Sequence, residues 1–177
     1  MTTDNLVARA EKYARYHHKG QIRKGAAAEP YFTHVAEVAL LVRDLGGDQI
    51  AQSAAWLHDV VEDCAPNLVD IEQEFGEDVA YVVSEVTDDK TLEKHERKAK
   101  QVETAIKKSD RACLIKWADK TSNLKAIATS PPPWSSERKT EYISWAIRVT
   151  DRLPFKPERA LVLFNSAVSE ARKSLSN

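Results

Sequence analysis

The residues with the clearest chemical potential form the run Leu57-His58-Asp59-Val60-Val61-Glu62-Asp63. On a helix, Glu62 lies one turn beyond His58 and Asp63 one turn beyond Asp59, so one helix end would present an imidazole and three carboxylates. A hydrophobic core accepts such groups only with partners, because unpaired buried charge is very costly. A divalent metal ion would supply that partner, and the run therefore predicts a metal centre.

Two further residues fit the same centre. His34 lies at the start of a predicted helix, and Asp119 lies four residues after Ile115 and five before Leu124, towards an apolar face. Two His and two Asp make a mixed nitrogen–oxygen ligand set, which suits Mn(II), Fe(II) or Zn(II) better than a closed structural zinc site does. The alternative for each residue is structural, since a lone helix-start His or a His–Asp pair is more often a hydrogen-bonded element of the core.

The composition excludes several classes of protein. The chain has 177 residues, of which 42% are hydrophobic and 30% charged, which is typical of a globular domain. Its five glycines form neither a G-x-G-x-x-G nor a G-x-x-x-x-G-K-[ST] motif, which excludes Rossmann and P-loop nucleotide binding. We expect no membrane span, no signal peptide and, from the two distant cysteines, a reducing cytoplasmic location.

Charge is strongly segregated along the chain although the net charge is only −1. Residues 44–89 carry thirteen acidic and no basic side chains, whereas the flanking segments carry net charges of +3 and +9. The acidic segment contains the predicted metal run. This pattern suggests a metal-linked or polyanionic small-molecule partner, although solvated helix faces would give the same segregation. No feature indicates nucleic-acid binding.

The elements that must position these residues are helices. Apolar residues recur at helical spacing along almost the whole chain, which predicts an all-α fold of eight or nine helices. The predicted helix caps are Thr33, Asp48, Asn67 and either Ser109 or Asp110, and the predicted breaks are at Gly46-Gly47, Pro66, Gly76, Pro131-Pro132-Pro133, Pro154 and Pro157. A long charged helix is predicted from about Leu92 to Lys108. With no repeat and no flexible linker, residues 1–177 are predicted to form a single domain.

Taken in order, these motifs resemble those of a known family. The order H…HD…D is similar to that of the HD-domain metal-dependent phosphohydrolases. The segments 23–24, 30–34, 58–63, 75–76, 85–90 and 118–124 together resemble the hydrolase domain of RelA/SpoT-type alarmone enzymes. Because the 177 residues hold no synthetase or regulatory domain, the chain is most similar to the stand-alone small alarmone hydrolases of the metazoan SpoT-homologue type. The resemblance covers roughly residues 5–150.

The resemblance implies an HD-domain helical bundle and a specific reaction. Enzymes of this family hydrolyse the 3′-pyrophosphate of guanosine tetra- and pentaphosphate (ppGpp and pppGpp), giving GDP or GTP and pyrophosphate, usually with manganese. By position, the implied metal ligands are His34, His58, Asp59 and Asp119. Glu62 and Asp63 correspond to the carboxylates that position and deprotonate the attacking water or protonate the leaving 3′ oxygen, as general acid–base chemistry requires.

The resemblance also implies contacts with a guanine nucleotide. Arg23 would stack on the base, Lys24 would make a polar contact, and Asn123 would hold the substrate beside the metal. The further implied substrate contacts are Tyr31, Lys94, Arg138 and Tyr142. Ordinary alternatives exist: Lys94 suits a solvated helix face, and Tyr142 suits the core.

Departures from the family pattern leave alternatives open. Val35 replaces the usual proline after the first histidine, and Trp117 and Thr121-Ser122 replace the usual residues around Asp119. These changes affect the base pocket more than the metal and acid–base groups. The alternative functions are therefore another HD-type phosphohydrolase, acting on NADPH, a deoxynucleotide or a cyclic nucleotide, and a non-catalytic HD module that senses nucleotide or binds a partner. The charged 92–108 helix could serve as a surface or as the contact face of a homo-oligomer.

Overall fold

Helices account for all the regular structure of this computed structural model, which describes residues 5–175, apart from one isolated β-bridge between Ile22 and Pro30. The ten α-helices are α1 (Leu6–His17), α2 (Phe32–Asp44), α3 (Gln49–Leu57), α4 (Val60–Asp63), α5 (Leu68–Phe75), α6 (Glu77–Val86), α7 (Lys94–Thr104), α8 (Asp110–Thr129), α9 (Ser136–Asp151) and α10 (Glu158–Ser174). A 3₁₀ turn, Ala105–Lys107, separates α7 from α8. Since α4 is a single turn, nine helices of eight or more residues remain within 5–175, and the predicted all-α fold is confirmed.

Three of the predicted caps begin helices as expected. The Asp48 carboxylate accepts from the Ala51 amide at 2.8 Å at the start of α3. Asn67 accepts from the Val69 and Asp70 amides at the start of α5, and the Asp70 side chain accepts in return from the Asn67 amide. Ser109 begins α8. These short polar side chains satisfy amide groups that have no partner in the first helical turn, which is why the sequence locates them reliably.

The predicted cap at Thr33 is wrong. Helix α2 begins at Phe32, and the Thr33 hydroxyl lies inside its first turn, where it donates to the Pro30 carbonyl at 2.8 Å. Tyr31 already has a helical backbone conformation and its side chain caps no amide. The Thr33 amide also donates to the Pro30 carbonyl, so the turn is already formed at Thr33 and its hydroxyl cannot cap the helix.

The predicted charged helix is shorter than 92–108. Glu93 and Glu96 form a reciprocal capping box that begins α7 at Lys94, and the chain tightens into the 3₁₀ turn after Thr104. The capping box therefore fixes the first end of α7, and the 3₁₀ turn fixes the second, both inside the predicted range.

Helix α8 lies at the centre of the molecule and packs against α2, α3, α6, α9 and α10. Twelve of its twenty residues are buried, including Lys116 and Lys120, so the helix lies between two apolar clusters. Leu114, Ile115 and Ala118 belong to the cluster formed with α1–α6, whereas other faces of α8 pack on α9 and α10. No helix among residues 5–175 has both the length and the hydrophobicity needed to cross a membrane.

Candidate active site

The four predicted metal ligands converge from three parts of the chain. His34 lies in α2, His58 and Asp59 lie between α3 and α4, and each offers a ligand atom within 4.8 Å of the others. Asp119 of α8 joins them through its Oδ1 atom, 3.4 Å from Nε2 of His34. We call these four side chains the metal cluster.

The backbone at His58 and Asp59 differs from the sequence expectation. The run predicts one continuous helix end, whereas the structure places these two residues in a turn between Leu57, the last residue of α3, and Val60, the first of α4. The turn lets Nδ1 of His58 meet the Ala55 carbonyl at 2.7 Å. The carbonyl accepts this proton, so the other ring nitrogen, Nε2, faces the cluster.

A hydrogen-bonded chain orients the other histidine. Nδ1 of His34 lies 2.9 Å from the Ser122 hydroxyl, which lies 2.6 Å from Oε2 of Glu37. Because the Ser122 hydroxyl donates its single proton to the Glu37 carboxylate, the neutral His34 ring must donate from Nδ1. Its Nε2 atom is then the acceptor that faces Asp59 and Asp119, as a metal ligand requires.

The electrostatics of the cluster favour a cation at its centre. Nε2 of His58 is buried and has no hydrogen-bond partner of good geometry among residues 5–175, although it lies 3.1 Å from Oδ2 of Asp59. Burial opposes a charged imidazole, but the Asp59 and Asp119 carboxylates prevail and raise the pKa of His58 to about 9. Without a metal, a proton therefore supplies positive charge here. These residues fit a divalent cation, which would replace that proton on binding.

Neighbouring side chains hold both carboxylates of the cluster ionised. The Tyr31 hydroxyl donates to Asp59 at 2.6 Å, and Lys120 and Asn123 donate to the two oxygens of Asp119 at 2.9 and 2.8 Å. Burial would raise the pKa of each aspartate, but nearby cationic groups keep both pKa values below the usual range, chiefly His58 for Asp59 and Lys120 for Asp119. Tyr31 and Asn123, expected to bind substrate, thus also contact two of the predicted metal ligands, Asp59 and Asp119.

The predicted catalytic carboxylates lie beside the cluster and contact one loop. Glu62 lines a cavity together with the four side chains of the metal cluster, and its carboxylate accepts a hydrogen bond from the Asp88 amide at 3.1 Å. Burial, and then the negative charge of Asp88, raise the pKa of Glu62 to about 7. Asp63 forms an ion pair with Lys90 at the partly exposed edge of the site. The loop between α6 and α7 therefore contacts both carboxylates.

Two adjoining cavities form the site. One, of ≈220 Å³, lies over the metal cluster and Glu62, and a second, of ≈790 Å³, shares part of its wall. The residues that line both are Tyr31, Asp63, Asn123 and Tyr142. The larger volume is in the range of small-molecule sites. We call the two spaces the metal cavity and the large cavity.

The structure brings some predicted substrate contacts together and leaves two outside. Arg23 and Lys24 line the large cavity, whereas Lys94 and Arg138 line neither cavity. The Arg138 guanidinium lies over the ring of Trp134, 4.4 Å from its centroid, and that ring lines the large cavity. Burial lowers the pKa of Lys94, as do the positive charges of Arg138 and Lys24, so these three cations lie close enough to repel.

Several side chains at the site were not identified from the sequence. Ser122, which departs from the family pattern, completes the chain that orients His34. Lys116 and Lys120 flank Asp119 on α8 and line the metal cavity. Charged residues inside the apolar pattern of α8 were the available signal for the two lysines. No local signal pairs Glu37 with a serine 85 residues away.

Comparison with known proteins gives consistent matches. Residues 10–144 match the family described as the HD domain. The chain is similar to proteins named guanosine-3′,5′-bis(diphosphate) 3′-pyrophosphohydrolase MESH1: it is 46% identical to that of Drosophila melanogaster over 80% of this chain and 81% of the relative, and 42% identical to that of Homo sapiens over 81% and 82%. A solved structure described as a metazoan ortholog of SpoT that hydrolyzes ppGpp superposes with a TM-score of 0.89 at 38% identity, covering 96% of this chain and 97% of that one.

Proposed function

This chain belongs to the HD domain family, and from that premise we propose that it hydrolyses the 3′-pyrophosphate of ppGpp and pppGpp. The products are GDP or GTP and pyrophosphate. The observation that carries the proposal is the junction of the metal cavity, which holds Glu62, with a large cavity lined by Arg23 and Lys24. The relatives named as ppGpp hydrolases, at 42–46% identity, support the same substrate.

The metal cluster would hold the cofactor through four side chains. The proposed ligands are His34, His58, Asp59 and Asp119. Their mixed nitrogen and oxygen donors suit Mn(II), which we propose as the metal. Fe(II) and Zn(II) bind the same types of ligand and are the alternatives. When bound, the ion lowers the pKa of water and offsets the negative charge of phosphate.

The protein side chains carry the proton transfers. Glu62 accepts a proton from the attacking water, whose oxygen forms a bond to the phosphorus attached to the ribose 3′ oxygen. The bond between that phosphorus and the 3′ oxygen breaks, and the carboxylate pair Glu62–Asp63 returns a proton to the leaving 3′ oxygen. Because the pKa of Glu62 is about 7, this side chain can both accept and donate a proton near neutral pH.

The large cavity would bind the nucleoside. Arg23 is proposed to stack on the guanine and Lys24 to make a polar contact with it, while Asn123 and Tyr142 hold the nucleotide at the junction of the two cavities. Lys94 and Arg138 stay proposed phosphate contacts because they add positive charge near Lys24. The Arg138 guanidinium also covers Trp134.

Product identification tests the proposed function. The protein is incubated with Mn(II) and, separately, with ppGpp, pppGpp, NADPH, a deoxynucleoside triphosphate and a cyclic nucleotide, and the products are separated by anion-exchange chromatography. We expect GDP or GTP and pyrophosphate from the first two substrates. Release of orthophosphate from NADPH without cleavage of ppGpp would support a different HD-type phosphohydrolase. Absence of turnover in the whole panel would support a non-catalytic nucleotide-binding module.

Two proposals from the sequence concern the cellular context. A cytoplasmic location is proposed from the two distant cysteines. A homo-oligomer is proposed to use the charged face of α7, in which every residue from Lys94 to Thr104 is at least partly exposed.

A further inference from the structure

Lys116 is a buried cation with few partners. Its side chain lies in α8, only 5% of the residue is exposed, and it lines the metal cavity. Among residues 5–175, its ammonium group makes one hydrogen bond, to the Val86 carbonyl at 3.3 Å, and has no carboxylate within 4.0 Å. An ammonium group has three donors, so two of them have no protein acceptor among residues 5–175.

Lys120, one turn further along α8, shows the contrast. It is buried to a similar extent, but its ammonium group donates to Asp119 at 2.9 Å and lies 4.3 Å from the centroid of the Trp145 ring. The wall of the metal cavity thus holds two buried cations, of which one has an anionic partner. A buried charge without a partner costs free energy, and a hydrophobic side chain of equal size would remove that cost.

We propose that Lys116 is a substrate-binding residue, whose ammonium group contacts the 3′-pyrophosphoryl oxyanion inside the metal cavity. The identity of that oxyanion rests on the proposed function. A phosphate oxygen is an anionic acceptor, and its hydrogen bond with an ammonium group is stronger than one made by the neutral Val86 carbonyl. Burial, together with the charge of Lys120, also lowers the pKa of Lys116, so the charged form of this side chain is disfavoured when no substrate is bound. Lys116 then gains its anionic partner only when the substrate binds.

A structural role is the alternative. Val86 is the last residue of α6, and its carbonyl lacks the amide partner that a continuing helix would provide. Lys116 could simply cap that helix end. In that case its replacement would lower stability while the folded fraction kept its affinity for pyrophosphate.

Three variants separate these roles. Lys116→Met keeps the volume and removes the charge, and Lys116→Gln keeps a hydrogen-bond donor for the Val86 carbonyl. Lys108→Met is the matched control, because Lys108 is a half-buried lysine that also donates to a carbonyl near the end of α6, that of Glu85, but lines a different cavity of ≈330 Å³. Each variant is assayed for Mn(II) affinity, thermal midpoint, binding of radiolabelled inorganic pyrophosphate in Mn(II), and kcat/KM on ppGpp.

We expect both Lys116 variants to lose pyrophosphate affinity and kcat/KM by about 10- to 100-fold, the range for a charge-assisted hydrogen bond. Mn(II) affinity should stay at the wild-type value, and the thermal midpoint of Lys116→Met should be equal or higher. Lys108→Met should match the wild type in pyrophosphate binding and turnover.

Wild-type pyrophosphate affinity and kcat/KM in both Lys116 variants would overturn the inference, whatever their thermal midpoints. If Lys116→Met does not fold, Lys116→Gln decides on the same measurements. If the wild type binds pyrophosphate without cleaving ppGpp, the proposed function fails, while weaker pyrophosphate binding by the Lys116 variants would still support the inference. A wild-type protein that neither binds pyrophosphate nor cleaves ppGpp would overturn both.

Discussion

At the scale of single residues, Glu62 and the cluster histidines show how burial prepares side chains for chemistry. Each histidine donates from Nδ1 to a fixed acceptor, Ser122 for His34 and the Ala55 carbonyl for His58, so that both Nε2 atoms face the carboxylates. Glu62 is held by the Asp88 amide in a half-buried position where its charged form is disfavoured. The donors are therefore oriented before any ligand binds, which reduces the cost of binding.

Replacing Glu62 separates metal binding from chemistry. Glu62→Gln keeps the shape of the side chain and removes the proton acceptor, so kcat should fall by about 10²- to 10⁴-fold while Mn(II) affinity stays near that of the wild type. Steady-state kinetics on ppGpp and a Mn(II) titration test this. If Glu62→Gln turned over ppGpp at the wild-type rate, the acid–base assignment would be wrong.

At the scale of elements, two connecting segments position the reactive groups. The loop between α6 and α7 contacts Glu62 through the Asp88 amide and Asp63 through Lys90, and Gln101 of α7 in turn donates to the Asp88 carboxylate. The segment around the β-bridge carries Arg23 and packs on the end of α8. Helices and the turn between α3 and α4 hold the predicted metal ligands, whereas these two segments contact the predicted catalytic carboxylates and carry Arg23.

The charge of Asp88 should contribute to the pH dependence of turnover. Burial, and then the Asp88 carboxylate, raise the pKa of Glu62. A general base must be ionised, so kcat/KM should fall as pH drops through the pKa of Glu62. Asp88→Asn removes the like charge and keeps the main-chain amide, so the acidic limb of the kcat/KM profile should move to lower pH. Profiles from pH 5 to 9 for the wild type and variant test the shift. An acidic limb at the same pH in both proteins would contradict the coupling.

Gly25 is expected to matter for substrate affinity. A Cβ atom at this position would lie closer to the carbonyl and hydroxyl oxygens of Ser130 than van der Waals contact allows. Gly25→Ala should therefore displace the segment that carries Arg23 and Lys24, and raise KM for ppGpp roughly tenfold with a smaller change in kcat.

The matched control for Gly25→Ala lies in the same segment. Ala28 has a positive φ of 48°, a conformation that glycine adopts without strain, so Ala28→Gly should keep KM at the wild-type value. An equal rise of KM in both variants would mean that the segment tolerates no change, and would argue against a specific role for the close packing of Gly25 on Ser130.

At the scale of the whole molecule, α8 joins the site to the core. It supplies Asp119 and Asn123 to the metal cavity and Ser122 to the ring of His34, while its other faces pack in both apolar clusters. The metal cluster links α8 to α2 and to the turn between α3 and α4. A ligand that binds the metal cluster should therefore stabilise the whole fold, because α2, α3, α4 and α8 all contribute residues to the same apolar cluster.

Metal binding should raise the thermal midpoint of the wild type. Saturation to 100 times Kd would add about 2.7 kcal/mol to the free energy of unfolding. His58→Ala removes a proposed ligand and should abolish both the Mn(II)-dependent shift of the thermal midpoint and turnover. Thermal melts with and without Mn(II) test this, with Glu62→Gln as the control that keeps the shift. A full Mn(II)-dependent shift in His58→Ala would rule out His58 as a ligand.

The sequence by itself determined the all-α class and most helix starts, and it indicated the residues that we propose as metal ligands. Asp48, Asn67 and Ser109 could be located because a cap acts within its own helical turn. The H…HD…D order could be read because residue type alone defines donor chemistry. The predicted cap at Thr33 is wrong because its hydroxyl donates to the Pro30 carbonyl from inside the first turn, and residue type alone does not decide between that partner and an amide.

Only the tertiary structure decided how these groups are oriented and what else surrounds them. The bond between His34 and Ser122 joins residues 88 positions apart, and no local pattern predicts it. Lys116 could be recognised as an underpaired cation, and Lys94 as lying outside both cavities, only after the helices were packed. Packing decides these properties because burial, charge pairing and cavity shape depend on which distant side chains meet.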